Sequence, residues 1–92
     1  MAEARYLQIT FEFEGPPKIN ELKPAFDEAL DWARIDSNAW IVWTTSTPAD
    51  WYSRIKPLIG ANDRFYIFGI DNTVRHGWGH KWIWEWLDKK RP

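Results

Sequence analysis

Apolar and polar residues alternate along residues 5–14, which read RYLQITFEFE. Because successive side chains of a β-strand point to opposite faces, this period of two predicts a strand with one apolar and one polar face. The apolar face carries Leu7, Ile9, Phe11 and Phe13. The glycine and the two prolines at residues 15–17 predict the end of this strand.

Helical spacing replaces the alternation in the next segment. Its apolar residues are Ile19, Leu22, Phe26, Ala29, Leu30 and Ala33. They recur every three or four positions, which predicts an amphipathic helix over about residues 19–31. Because proline lacks a backbone N–H, we place Pro24 in the first turn of this helix.

Two short strands are predicted next, joined as a hairpin. Residues 39–45 (AWIVWTT) are rich in β-branched and aromatic residues, and Ser37 and Asn38 predict a turn before them. Residues 32–36 are more weakly extended and would form the first strand of the hairpin. The alternative is that the preceding helix continues to Ile35.

A second helix is predicted after residue 46. Thr47 can cap it, Pro48 takes the first helical position and Asp50 completes a capping-box pair. Its apolar stripe consists of Trp51, Ile55, Leu58 and Ile59. Pro57 removes one backbone hydrogen bond in the third turn, and Gly60 predicts the end of the helix.

The last part of the chain contains one more strand and a tryptophan-rich tail. Residues 64–70 (RFYIFGI) are almost continuously apolar, which predicts a strand. Trp82, Trp84 and Trp86 alternate as in a strand, but Trp82 and Trp86 are also four apart as on a helix. The cations at residues 89–91 suit a helix C-terminus, so we predict a short helix followed by a solvated basic end.

The predicted order of elements is β-α-β-β-α-β, which is the ferredoxin-like split βαβ arrangement. We therefore predict an α+β protein with one domain over residues 1–92, a four-stranded antiparallel sheet and two helices on one face. Residues 76–92 would form a tryptophan-rich C-terminal extension, either helix or strand. The second face of the sheet is expected to be bare.

Aromatic residues are more numerous than a small core requires. The chain has eight tryptophans in 92 residues, and small domains bury a smaller fraction of their surface than large ones. Contiguous exposed aromatic residues usually mark an interaction surface. The candidate interface residues are Trp40, Trp43, Tyr66, Phe68, Trp82, Trp84 and Trp86. The pattern leaves open which side of the third and fourth strands faces away from the helices.

Three arrangements could cover the bare face of the sheet. Two copies could pack their sheets face to face in a homodimer. The aromatic residues could instead stack the bases of single-stranded RNA. The C-terminal tail could also fold back and cover the face with its own indoles.

Composition narrows the classes of partner. The net charge of −1 gives no general attraction to nucleic acid or to an anionic membrane. The chain has no cysteine, which excludes disulfides and thiolate metal sites. It has neither the apolar stretch of a signal peptide nor a run as long as a membrane span. We expect a cytoplasmic protein with no membrane partner, whose partner is a second copy, another protein, or RNA or DNA.

Two pairs of residues are candidates for metal chemistry. Glu12 and Glu14 share a face at the end of the first strand, and paired carboxylates can hold Mg²⁺ or Mn²⁺ for phosphodiester cleavage. Solvated carboxylates that protect a strand from edge pairing are the simpler interpretation. His76 and His80 have the i,i+4 spacing of a helical metal site, but the intervening glycines disfavour a helix, so we predict surface residues. No cofactor is expected outside the nuclease alternative.

Four segments of the chain resemble a group of small bacterial proteins sometimes labelled SinR-like. They are residues 37–44 (SNAWIVWT), 47–50 (TPAD), 55–58 (IKPL) and 62–65 (NDRF), within a resemblance that spans about residues 5–88. That group is distantly similar to the ferredoxin-fold CRISPR-associated endoribonuclease and spacer-acquisition subunit, and to VapD-like ribonuclease toxins. The resemblance implies a ferredoxin-like fold and a dimer.

The chain departs from this larger family at the position that bears its chemistry. Metal-dependent members carry an aspartate near the end of the first strand, where this chain reads Phe11, Glu12, Phe13 and Glu14. Glu12 is the nearest functional substitute. We therefore predict a non-catalytic homodimeric interaction module. The alternative is a metal-dependent endoribonuclease, or a nucleic-acid-binding protein of the same type, with Glu12 as its catalytic residue and with Glu12 and Glu14 as its metal ligands.

Overall fold

The computed structural model describes residues 3–91, so the outermost residues of the predicted domain, 1–2 and 92, lie outside the described part. The four strands are β1 (Arg5–Glu12), β2 (Asp31–Asp36), β3 (Ala39–Thr44) and β4 (Arg64–Ile70). The three helices are α1 (Ile19–Phe26), α2 (Pro48–Ile55) and α3 (Lys81–Leu87). A 3₁₀ turn over Lys56–Leu58 follows α2.

The strands form one open antiparallel sheet in the order β2-β3-β1-β4. This confirms the predicted α+β class and the four-stranded antiparallel sheet, and the strand order is compatible with a ferredoxin-like arrangement. Strands β1 and β4 pair without interruption from Tyr6–Ile70 to Glu12–Arg64. Within residues 3–91, no helix has the length and apolar character needed to cross a membrane.

One face of the sheet packs against α1 and α2 and forms the main core. The sheet contributes Leu7, Ile9, Phe11, Trp40 and Val42, and the helices contribute Leu22, Phe26, Trp51 and Ile55. The ring of Phe26 stacks on Trp40 with centroids 4.8 Å apart and on Trp51 at 5.8 Å. The apolar side of β1, which the alternation in the sequence predicted, therefore faces this core.

The other face is partly covered by α3, so the expectation that it would be bare is wrong. Trp86 and Leu87 on α3 pack against Ala33 of β2 and Ile41 of β3. The tail is therefore a helix, as predicted, and it folds back over the sheet. Only the apolar contacts of the folded chain bring these residues together, because they lie more than 40 positions apart.

The first helix is shorter than predicted. It ends at Phe26 rather than near residue 31, because the N–H of Leu30 donates to the carbonyl of Trp43 at 2.9 Å and draws the chain into the sheet. Pro24 was predicted in the first turn but lies inside the helix, on its exposed side. The missing N–H there leaves the carbonyl of Asn20 to solvent, since Asn20 is exposed too.

Local signals identified the hairpin and the start of the second helix. The turn at residues 37–38 joins β2 to β3, which confirms the hairpin and overturns a helix extended to Ile35. Thr47 accepts a hydrogen bond from the N–H of Asp50, and the Asp50 carboxylate accepts one from the N–H of Thr47. The predicted capping box is thus present. The helix changes to a 3₁₀ turn at Lys56, since Pro57 cannot continue the α-helical ladder.

Candidate interaction surface

The half of the open face that α3 leaves uncovered lies along β4. Tyr66 and Phe68 point to this face, and 47% and 58% of their surfaces are exposed. Their neighbours on β1 are the half-buried Thr10 and Gln8, which pair with Tyr66 and Phe68 respectively. The structure thereby selects Tyr66 and Phe68, rather than Phe65 and Ile67, as the exposed aromatic side of this strand.

Strand β4 is also the edge of the sheet. Among residues 3–91, β1 is its only partner, so one side of its backbone has no strand beside it. It runs for seven residues with no proline and no bulge, and Arg64 at its first position is its only charged residue. Edge strands of natural proteins usually carry such interruptions, because an open edge invites pairing with another chain.

The backbone groups that point away from the sheet can be identified from one hydrogen bond. The N–H of Phe11 donates to the carbonyl of Asn38, on the β3 side of β1, at 2.8 Å. Backbone groups of successive residues alternate in direction along an antiparallel strand. The even-numbered residues of β1, and their even-numbered partners on β4, therefore bond to each other. The outward N–H and C=O groups of β4 belong to Phe65, Ile67 and Gly69.

An apolar groove lies along this edge. Tyr52 of α2 is 53% exposed, and its ring centroid is 5.3 Å from that of Phe65. The groove has a volume of about 340 Å³ and is lined by Pro48, Tyr52, Phe65, Tyr66, Ile67 and Phe68. We call these six residues the β4 edge surface. It presents apolar side chains on both sides of a row of open backbone groups.

The opposite edge of the sheet is protected. Strand β2 carries charged residues along its length, and its pairing with β3 shifts register between Arg34 and Asp36. Its first residue, Asp31, accepts hydrogen bonds from Arg91 at 2.8 Å and from Lys89 at 3.3 Å. Charges, irregular register and the C-terminal segment thus discourage pairing at β2, whereas in the described part of the chain β4 carries only the charge of Arg64 at its first position.

The predicted tryptophans occupy three different environments. Trp40 is buried in the main core, and Trp86 is buried beneath the guanidinium of Arg91, which lies 4.5 Å from its ring. Trp43 and Trp84 are half-buried, Trp43 with its ring 4.7 Å from that of Tyr6. Trp82 is largely exposed on α3. The structure brings together Tyr66 and Phe68 on one half of the open face and places Trp84 and Trp86 on the other half.

The two residues of the predicted acidic pair contact different groups. Glu12 is exposed and lies 3.7 Å from the guanidinium of Arg64, while the backbone N–H of Glu14 donates to Asp63 at 2.8 Å. Strand β1 lies inside the sheet, so these carboxylates do not protect an edge. Across residues 3–91 there is no group of three or more histidine, cysteine, aspartate or glutamate residues placed to hold a metal ion.

Asp63, whose carboxylate accepts a hydrogen bond from the N–H of Glu14, has a structural role. A hydrogen bond from Lys18, followed by those from the backbone N–H groups of Glu14 and Gly60, lowers the pKa of Asp63 to about 2. The side chain of Asp63 is only 1% exposed. It is therefore charged at neutral pH and fully engaged with its own protein.

The two histidines lie in an irregular exposed segment. His76 and His80 precede α3, which begins at Lys81, so their i,i+4 spacing is not helical in the folded chain. Trp78 between them is fully exposed. The prediction that these histidines lie at the surface is confirmed.

Sequence reasoning missed two residues, Tyr52 and Arg91. Tyr52 lies next to Trp51 on α2, and only the packing of α2 beside β4 reveals that it extends the edge surface. Arg91 was predicted in a solvated tail, but its side chain is 9% exposed and bonds to Tyr6 and Asp31. No local pattern signals a partner 85 positions away.

Comparison of the chain with protein-family models, curated proteins and solved structures finds no match. The case for a function therefore rests on the geometry of the surface.

Proposed function

We propose that this protein is a ferredoxin-like βαββαβ unit with a helical C-terminal extension, and that it acts as a non-catalytic homodimeric interaction module. The observation that carries the proposal is the β4 edge surface, where exposed aromatic side chains flank an open strand edge. Monomeric proteins rarely leave both features at one place, because together they promote association.

Covering this surface contributes favourable free energy to association. Full burial of a phenylalanine side chain contributes about 1.5–3 kcal/mol. Covering the exposed 58% of Phe68 therefore contributes about 1–2 kcal/mol per copy. Tyr66 and Tyr52 add comparable apolar area on either side of the strand.

The surroundings of Glu12 support a non-catalytic role. A metal-dependent nuclease needs carboxylates that converge on one ion. Glu12 faces Arg64, and Glu14 follows the end of β1 near Asp63, whose carboxylate is already engaged by Lys18. The nuclease alternative predicts that Mg²⁺ or Mn²⁺ supports RNA cleavage and that Glu12→Ala abolishes it. Cleavage with that dependence would overturn the non-catalytic assignment.

Light scattering during gel filtration tests the homodimer. We expect a mass of twice 11.0 kDa at micromolar concentration, and a shift to 11.0 kDa in Phe68→Asp, which places a charge in the interface. The matched control is Val74→Asp, which places the same charge at a position that is 79% exposed away from the β4 edge surface. A monomer at every concentration in the unmodified protein would refute the proposal.

Single-stranded RNA is the competing occupant of the same aromatic residues. Base stacking on Tyr66 would make Tyr66→Ala weaken binding by about 1–3 kcal/mol for each stacked base. The observations favour a second copy, since Glu12 next to Arg64 places a negative charge where a phosphate would approach. Tight binding of a labelled single-stranded RNA by a monomeric protein would assign the surface to nucleic acid instead.

A further inference from the structure

We infer that two copies of this chain associate by pairing their β4 strands antiparallel, about a two-fold axis that passes through Ile67, to form one continuous eight-stranded sheet. The inference rests on the proposed homodimer and specifies its interface and register. It follows from three features of the described residues: the open edge, the phase of its backbone groups and the order of its side chains.

The backbone phase selects the register. Outward groups of one β4 must meet outward groups of the other, and these belong to Phe65, Ile67 and Gly69. An axis at Ile67 pairs Ile67 with its own mate and Phe65 with the second copy's Gly69. The outward N–H and C=O groups of all three residues then form hydrogen bonds between the two strands, in both copies. An axis at Tyr66 or at Phe68 would leave one of the three without a strand partner.

The same register matches the exposed aromatic side chains. It places Tyr66 of one copy opposite Phe68 of the other, twice, in non-hydrogen-bonded pairs where side chains approach most closely. On the helix side, Phe65 lies opposite Gly69. An added side chain at Gly69 would meet no heavy atom within 4 Å, so there is room there for the facing phenylalanine. The strand is thus complementary to itself in reverse.

Charge also permits this pairing. Arg64 is the only charged residue of β4 and occupies its first position. Antiparallel pairing about Ile67 sends the two Arg64 side chains to opposite ends of the interface, about 20 Å apart at about 3.4 Å per residue. No like charges face each other within the paired strands.

Face-to-face packing of two sheets is less favourable than edge pairing. Helix α3 already covers the β2 and β3 half of the open face with Trp86 and Leu87. On the half of the open face that α3 leaves uncovered, the exposed aromatic residues are Tyr66 and Phe68 of the edge strand itself. An interface that uses β4 can bury them without displacing α3.

Disulfide trapping tests the register directly, because the chain contains no cysteine. We would mix Tyr66→Cys and Phe68→Cys proteins, oxidise them with copper phenanthroline and analyse non-reduced peptides by mass spectrometry. Directly opposite residues in a non-hydrogen-bonded pair have Cα atoms about 4.5 Å apart, within the disulfide range of about 4.4–6.8 Å. Residue 68 of one copy and residue 68 of the other are diagonal neighbours at about 7–8 Å, outside that range.

We expect the mixture to yield the 66–68 disulfide at least tenfold more efficiently than either variant oxidised alone. Dominant 66–66 or 68–68 products would overturn this register. If light scattering shows a dimer that yields no 66–68 disulfide, the edge interface is wrong while the homodimer stands. A monomer throughout would refute both.

Proline substitution provides the second test. Ile67→Pro removes an outward N–H at the axis but leaves the even-numbered residues of β4 bonded to β1, and edge strands tolerate proline with its N–H side facing out. We expect the dissociation constant of the dimer to rise tenfold or more. The circular dichroism spectrum should stay that of the unmodified protein. The matched control, Ile67→Val, keeps the N–H and should stay dimeric. A folded Ile67→Pro protein that dimerises normally would contradict the inference.

Discussion

Asp63 joins two distant parts of the chain, residues 14–18 and residues 60–63, through one side chain. Its carboxylate accepts hydrogen bonds from the N–H of Glu14 at 2.8 Å, from the N–H of Gly60 at 2.7 Å, and from the ammonium of Lys18. These contacts connect the segment after β1, the residue before α1 and the loop before β4. The charged form of Asp63 therefore stabilises the folded state.

The first prediction concerns the pH dependence of this contribution. The pKa of Asp63 is about 2 in the folded protein against an ordinary value of 3.8. A carboxyl whose pKa is lowered by folding stabilises the fold above its unfolded value, and the contribution is lost as pH falls. We expect Asp63→Asn to lower the melting temperature by several degrees at pH 7.

The difference in melting temperature between the unmodified protein and Asp63→Asn should become smaller as pH falls from 3.8 to about 2. Thermal unfolding followed by circular dichroism at a series of pH values measures it. Glu21→Gln, which neutralises an exposed carboxylate on α1, is the control. A difference that stays constant down to pH 2 would show that the charge of Asp63 is not what stabilises the fold.

The eight tryptophans show that residue type alone does not decide a residue's role. Trp51 is fully buried, and its indole N–H donates to the hydroxyl of Thr44 at 3.1 Å. Trp78 is fully exposed in an irregular segment. The same side chain is a core residue in one place and part of the surface in another, according to the element that carries it.

At the scale of elements, α3 depends on tertiary contacts for its existence. Isolated helices shorter than about 12–15 residues are marginal in water, and α3 has seven residues. Its apolar residues pack on β2 and β3. Arg91 anchors the segment that follows α3 through hydrogen bonds. The guanidinium of Arg91 bonds to the Tyr6 hydroxyl, the Asp31 carboxylate and the Trp86 carbonyl.

Removing this contact should loosen α3 while leaving the main core intact. We expect Arg91→Ala to destabilise the protein by about 1–3 kcal/mol, since hydrogen bonds to charged groups are lost. Hydrogen exchange should become faster in the backbone amides of α3 and stay unchanged in those of β1. Lys90→Ala changes an exposed neighbouring cation and is the matched control. Equal protection of α3 in both variants would refute the role of Arg91.

At the scale of the whole molecule, the two edges of the sheet differ in how far they are protected against pairing with another strand. The β2 edge has charges, a register shift and ion pairs from the C-terminal segment, whereas the β4 edge is uninterrupted and apolar. In the proposed dimer, this asymmetry limits strand pairing to the β4 edge, which favours a closed pair of molecules over an open chain of them.

A closed dimer makes stability depend on protein concentration. We expect the urea midpoint to rise with concentration, because a hundredfold increase stabilises an associated state by about 2.7 kcal/mol. In Phe68→Asp, which places a charge in the proposed interface, the midpoint should not change with concentration. A midpoint independent of concentration in the unmodified protein would argue against a dimer coupled to folding.

The sequence by itself determined the elements whose signals lie within a few residues. The alternation in β1, the turn at residues 37–38 and the capping box of α2 were all predicted correctly. Each depends on neighbouring residues, because side-chain alternation, turn geometry and capping act over one to four positions. The class of fold followed from the order of these elements.

Only the tertiary structure decided how far each element extends and what it contacts. The end of α1 depends on a hydrogen bond from Leu30 to Trp43, and the burial of Arg91 depends on residues 60 and 85 positions away. The exposure of Tyr66 and Phe68 depends on which face of β4 meets the helices and on where α3 lies. Packing between distant segments sets these features, and it leaves no periodic pattern in the sequence.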